Sequence, residues 1–188
     1  VWLPTWGGLS SVPEHAEAVS RLADDANVLV KLHPEFTGYQ PDETALLASL
    51  PFTAVIDEPI DNVALFSVAD TVLADYGGSL FGALYCDLPL VLLDVPGAEQ
   101  NENMVATSPD LLVRSVLPTV QPGDATGLVE AVRDPALRRE QVELRARLRP
   151  LLFAPFHGCA SEVAAAAIGR LDTLVSMRRR SSVSGVVR

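Results

Sequence analysis

Between residues 68 and 94 the chain reads "VADTVLADYGGSLFGALYCDLPLVLLD". Thr71 to Asp75 and Pro89 to Asp94 are short, continuously apolar runs that end in an aspartate. They are too short for helices and do not alternate apolar with polar, the pattern of strands covered on both faces. Gly78 to Asp87 lies between them, with helix-forming residues after a glycine pair. Strand, glycine turn, helix and strand at this spacing predict a βαβ unit with parallel strands and a right-handed crossover.

The same rhythm extends in both directions. Strands are expected over residues 1–4, 27–33 and 53–57, and helices over 13–26, 41–50 and 61–69. Pro13 and Pro41 suit a first helical turn, and Asp61 suits an N-cap. Further on, 115–120 reads as an edge strand, and 124–134, 135–152 and 160–177 as helices. The expected fold class is α/β, with a doubly wound, Rossmann-like parallel sheet. One domain is expected over 1–177, followed by a basic, disordered tail over 178–188. The chain opens on Val1 inside a strand-like run, which we read as a piece of a longer protein.

At 188 residues the chain can bury a sizeable core. Its net charge of −10 argues against a broad nucleic-acid-binding face. Cys86 and Cys159 match no metal or redox spacing and read as small buried residues. Reduced thiols of this kind suit a cytoplasmic protein. No apolar run approaches the roughly 20 residues that cross a bilayer.

In an open α/β sheet, ligands bind beyond the carboxyl ends of the strands. The loops there begin at Thr5, His33, Asp57, Asp75 and Asp94. Gly77 and Gly78 let the backbone approach a ligand, and the helix behind them offers free N–H groups to a phosphate. Ser79 either adds a hydroxyl to that phosphate or caps the helix; Thr5 and Tyr76 stand in the adjoining loops. His33 follows a buried run and precedes Pro34. It can act as a general base, donate to a phosphate oxygen, or satisfy a neighbouring backbone group. Lys31 is expected to snorkel to the surface, and His15 to lie on a solvated helix face. Asp75 is expected to orient the glycine turn through backbone hydrogen bonds. Asp94 and Glu99, in the loop after the fifth strand, are candidates for ribose hydroxyls, with Pro59 and Ile60 as further ribose or base contacts. No cluster has metal-ligand spacing.

Four blocks together resemble one family. "PTW" (4–6), "VLVKLHP" (28–34), the 68–94 stretch and "HGCASEVAAAAI" (157–168) stand in the order and spacing of the C-terminal half of CDP-glycerol glycerophosphotransferases, which build teichoic acids. The resemblance implies the nucleotide-donor half of a two-domain GT-B transferase, facing an N-terminal half that is missing here. It implies that residues 76–79 hold the donor diphosphate of CDP-glycerol or a similar polyol, and that His33 touches that phosphate or acts in the transfer. It further implies no cofactor or metal beyond the donor, a polymeric or lipid-linked acceptor, and work at the cytoplasmic face of the membrane. The chain also departs from the family. Gly77 and Gly78 replace two serines, Gly7 an arginine, His157 an aspartate and Cys159 a lysine. A Gly-Gly pair at this place is similar to UDP-GlcNAc 2-epimerases and UDP-sugar GT-B glycosyltransferases, which is the alternative reading. A non-catalytic nucleotide-binding or scaffold domain is the third.

Overall fold

In a computed structural model, residues 1–183 of the chain are described. Six parallel strands form one sheet: β1 (Trp2–Leu3), β2 (Leu29–Lys31), β3 (Ala54–Ile56), β4 (Val72–Ala74), β5 (Leu90–Leu93) and β6 (Thr119–Val120). Their spatial order is β3-β2-β1-β4-β5-β6. The helices are α1 (Val12–Ser20), α2 (Phe36–Tyr39), α3 (Pro41–Ser49), α4 (Asn62–Phe66), α5 (Gly78–Tyr85), α6 (Pro109–Arg114), α7 (Ala125–Arg133), α8 (Pro135–Leu152) and α9 (Ala160–Val183).

The alternation of each strand sorts its side chains onto two faces. Trp2, Val30, Leu73, Val91, Leu93 and Val120 form one core with Val12, Ala16 and Val19 of α1, Leu47 of α3 and Leu128 of α7. The intervening Leu3, Val72, Ala74, Leu90 and Leu92 are equally buried. They lie on the opposite face, where α5 packs on β4 and β5 through Leu80, Ala83 and Leu84. Helices on both faces of an all-parallel sheet make this a doubly wound, Rossmann-like α/β fold. The uniformly apolar strands follow directly, because neither face meets water.

The Asp61 side chain accepts the Val63 N–H, as its N-cap position predicts. The chain divides into two compact units, the first running from Val1 to Leu151. Several other expectations are corrected. Helix α9 continues beyond Met177 to Val183, so the start of the expected tail is helical; residues 184–188 lie outside the described residues. Strand β6 is only two residues long. Both cysteines are exposed, not buried. Lys31 and His15 are buried, where surface positions were expected. Lys31 lies in a strand covered on both faces, and its Nζ reaches no farther than the Leu32 carbonyl at 3.4 Å. His15 faces the sheet from α1 and hydrogen-bonds the Asp94 carbonyl at 2.7 Å. Two helices, α2 and α6, were not anticipated. No helix among the described residues is long and apolar enough to cross a membrane.

Candidate functional site

The strand order reverses between β1 and β4. Strands β1 to β3 are laid outward on one side; the chain then returns to place β4 against β1 and builds outward on the other. The loops after β1 and β4 therefore leave in opposite directions and open a crevice between them. Thr5 follows β1, and Gly77 and Gly78 follow β4. A Cβ on Gly77 would stand 4.0 Å from the Thr5 hydroxyl oxygen, which places the two across the crevice. Gly77 has φ 85° and ψ −156°, a conformation open essentially only to glycine. No side chain caps α5 from that N-cap position, and Ser79 stands in its first turn.

Asp75 builds the crevice. Its carboxyl is fully buried and accepts the Thr5 N–H at 2.9 and 3.0 Å, the Ser11 N–H at 2.8 Å, the Ser11 hydroxyl at 2.8 Å and the Tyr76 N–H at 2.8 Å. Ser11 in turn accepts from the buried Trp2 indole at 3.2 Å. One carboxyl thus ties the loop after β1 to the turn after β4. Burial raises its pKa to about 6, and the hydrogen bonds from Ser11 and Thr5 oppose that rise. The orienting role expected of Asp75 is the one it has.

Helix α6 supplies two groups that sequence reasoning missed. Asp110 is buried, and its Oδ1 accepts the Gly77 N–H at 2.9 Å. One turn later, the Arg114 side chain is only 9% exposed. Its Nη2 donates to the Asp75 carbonyl and to the Leu93 carbonyl, the latter at 3.1 Å. Its guanidinium lies 3.8 Å from the centre of the Tyr76 ring, and Nη1 is 3.7 Å from Asp94. Arg114 Nε and Nη1 are buried without a hydrogen-bond partner. The sequence signal was present: Ser108-Pro109-Asp110 before Leu111 and Leu112 is a helix start, with an acid in the first turn and Arg114 in the last.

The remaining candidates divide into two groups. Tyr76 is buried with Val95 and Ala98 beneath Arg114, so its ring serves the end of β5. Asp94 accepts from His15 through its carbonyl and pairs with Arg114 through its carboxylate. Glu99 is exposed in the short 3-10 turn Ala98–Gln100. Pro59 and Ile60 are exposed beyond β3, the far edge strand. Strands β3 and β5 stand four spacings apart, roughly 19 Å at about 4.8 Å each. The two sets of proposed ribose or base contacts therefore leave the sheet on opposite sides of the glycine turn.

His33 lies beyond β2, exposed, with its ring stacked on Trp6 at 5.8 Å and 25°. Trp6 also meets Tyr39 at 5.3 Å. His33 Nδ1 accepts the Glu35 N–H at 3.2 Å. In the neutral ring the proton is then on Nε2, which faces away as a donor. Desolvation lowers its pKa from the ordinary value; nearby Glu35 opposes this and Lys31 adds to it. Among the described residues no group of histidine, cysteine and acidic side chains is arranged to hold a metal. No protein-family model and no curated protein matches the chain.

Proposed function

We propose that this domain binds the diphosphate of a nucleotide-activated donor in the crevice between Thr5 and the Gly77–Ser79 turn. The observation that carries the reading is the glycine-only conformation of Gly77 at the point of strand reversal, in front of the uncapped α5. That backbone lets an anion approach the helix N-terminus closely. Within this reading, CDP-glycerol or a related CDP-polyol is the donor, and the domain works in a glycerophosphotransferase of teichoic-acid-like polymers at the cytoplasmic membrane face. An acceptor hydroxyl oxygen bonds to the β-phosphorus. The bond from that phosphorus to the bridging oxygen breaks, and CMP leaves with the electron pair. The hydroxyl proton passes to a base on the facing half of the cleft. His33 presents Nε2–H and so acts as a donor to phosphate oxygen, neutralising developing charge rather than taking the proton.

A second reading is favoured by the absence of side-chain hydroxyls at Gly77 and Gly78: a UDP-sugar glycosyltransferase or 2-epimerase that grips its diphosphate through backbone alone. Calorimetric titration with CDP, UDP and CDP-glycerol separates the two. Preference for CDP, weakened about tenfold in His33→Ala by loss of one charge-assisted hydrogen bond and abolished in Gly78→Val, supports the glycerophosphotransferase. Gly78 is exposed and nothing stands within 4 Å of a Cβ there, so valine adds bulk at the start of α5 without meeting another part of the chain. Preference for UDP moves the assignment to the sugar-nucleotide enzymes. Absence of binding at millimolar ligand leaves a scaffold domain.

A further inference from the structure

The Gly77 N–H, the donor closest to the glycine-only bend, already holds an anion: the Asp110 carboxylate at 2.9 Å. Asp110 stands in the first turn of α6, and Arg114, one turn on, holds the carbonyl of Asp75 in the same bend. So α6 grips the 75–77 turn with a negative group on its N–H and a positive group on its C=O. Beside it, Arg114 Nε and Nη1 are buried without a hydrogen bond, and Nη1 lies 3.7 Å from the Asp94 carboxylate. An anion at this turn would meet a carboxylate that competes for the same amide, with the Arg114 guanidinium close behind it.

We propose that Asp110 is a specificity-determining residue that selects phosphate diesters over terminal phosphates at the Gly77 turn. The inference rests on the reading of this crevice as a diphosphate site and adds which diphosphates it prefers. A nucleotide-activated donor carries one negative charge on each phosphorus. A free nucleoside diphosphate carries two on its terminal phosphorus above the second phosphate pKa near 6. Like charges a few ångströms apart in a partly buried site repel strongly. The Asp110 carboxylate therefore penalises the terminal dianion more than the diester. The site keeps a preference for intact donor over a free nucleoside diphosphate while its backbone cradle still accepts anions.

The test is calorimetric titration of the whole chain at pH 8 with CDP-glycerol and with CDP, in wild type, Asp110→Asn and Asp110→Asn/Gly78→Val. Asparagine keeps an oxygen for the Gly77 N–H and removes only the charge. The expected result is that Asp110→Asn binds CDP about tenfold more tightly, gains much less for CDP-glycerol, and loses both with Gly78→Val. Equal gains for the two ligands, or no gain for CDP, overturn the inference while measurable wild-type binding leaves the diphosphate reading standing. Absence of binding to any variant overturns both. If the asparagine variant is poorly folded, Asp110→Ser provides the same charge removal and the same ratio.

Discussion

The crevice between β1 and β4 and the aromatic rim beyond β2 belong to one candidate site, but they are built on opposite principles. In the crevice, nearly every polar group is committed to another: Asp75 to Thr5, Ser11 and Tyr76, Asp110 to Gly77, Arg114 to two strand-end carbonyls. On the rim, the exposed Trp6 stacks on His33 and meets the exposed Tyr39 at a tilt. Buried polar groups must be satisfied internally, because water cannot serve them. The crevice thus fixes backbone shape, and the rim keeps side chains free to meet a ligand. Loss of the carboxyl that ties the crevice together, Asp75, is expected to register in stability, and substitutions on the rim in binding without loss of stability.

The largest effect is expected at Asp75. Alanine there removes the acceptor of three backbone N–H groups and one hydroxyl, all drawn into the same buried point. Each orphaned donor costs about 1–3 kcal/mol, offset in part by relief of a buried charge. Urea unfolding is expected to show a loss of about 3 kcal/mol or more. A loss below 1 kcal/mol would mean that the loop after β1 is held by its apolar contacts instead.

The same carboxyl makes stability depend on pH, with a definite sign. Its folded pKa of about 6 lies above its ordinary 3.8. Between these values the folded chain keeps a proton that the unfolded chain has released. The contribution of Asp75 to stability is therefore fully present below about pH 4 and falls as pH rises through 6, by roughly 3 kcal/mol in all. Unfolding of wild type and Asp75→Asn, compared from pH 4 to 8, is expected to show wild type losing ground with rising pH. A constant difference would show that the hydrogen bonds from Ser11 and Thr5 outweigh burial.

Adjacent glycines sharpen the contrast further. Gly77→Ala forces a side chain into a region that only glycine occupies freely, and is expected to cost about 1–3 kcal/mol. Gly78→Ala meets open space inside a helical turn and is expected to be neutral or to stabilise by up to about 1 kcal/mol. Thermal unfolding of the pair checks both. Similar losses at the two positions would place the special backbone at the helix start instead of the turn.

The parallel sheet and its helices were readable because burial on both faces leaves a chemical trace in each strand: Val72, Leu73 and Ala74 have no polar partner to alternate with. The strand order left no such trace, since β1 chooses β4 through pairs 71 residues apart in sequence. The glycine turn, the Asp61 cap and the orienting role of Asp75 were legible from local chemistry. Asp110 and Arg114 were not. Their helix had a readable start, but what each side chain touches is set by α6 returning to the end of β4. Lys31 and His15 were misread for the same reason: residue type suggested surface, and the placement of strand and helix buried them.

The smallest effect on stability is expected where the effect on function should be greatest. His33 is exposed and makes one hydrogen bond, to a backbone N–H that water can serve equally well. Its stack on Trp6 adds roughly 0.5 kcal/mol at an exposed position. His33→Ala is therefore expected to change unfolding free energy by about 0.5 kcal/mol or less. His33→Gln leaves a donor at a similar reach and is expected to retain more of any phosphate affinity than alanine does. If instead His33→Ala destabilises the chain by 2 kcal/mol, the rim is part of the scaffold, and the division between a shape-fixing crevice and a ligand-facing rim fails at its most exposed residue.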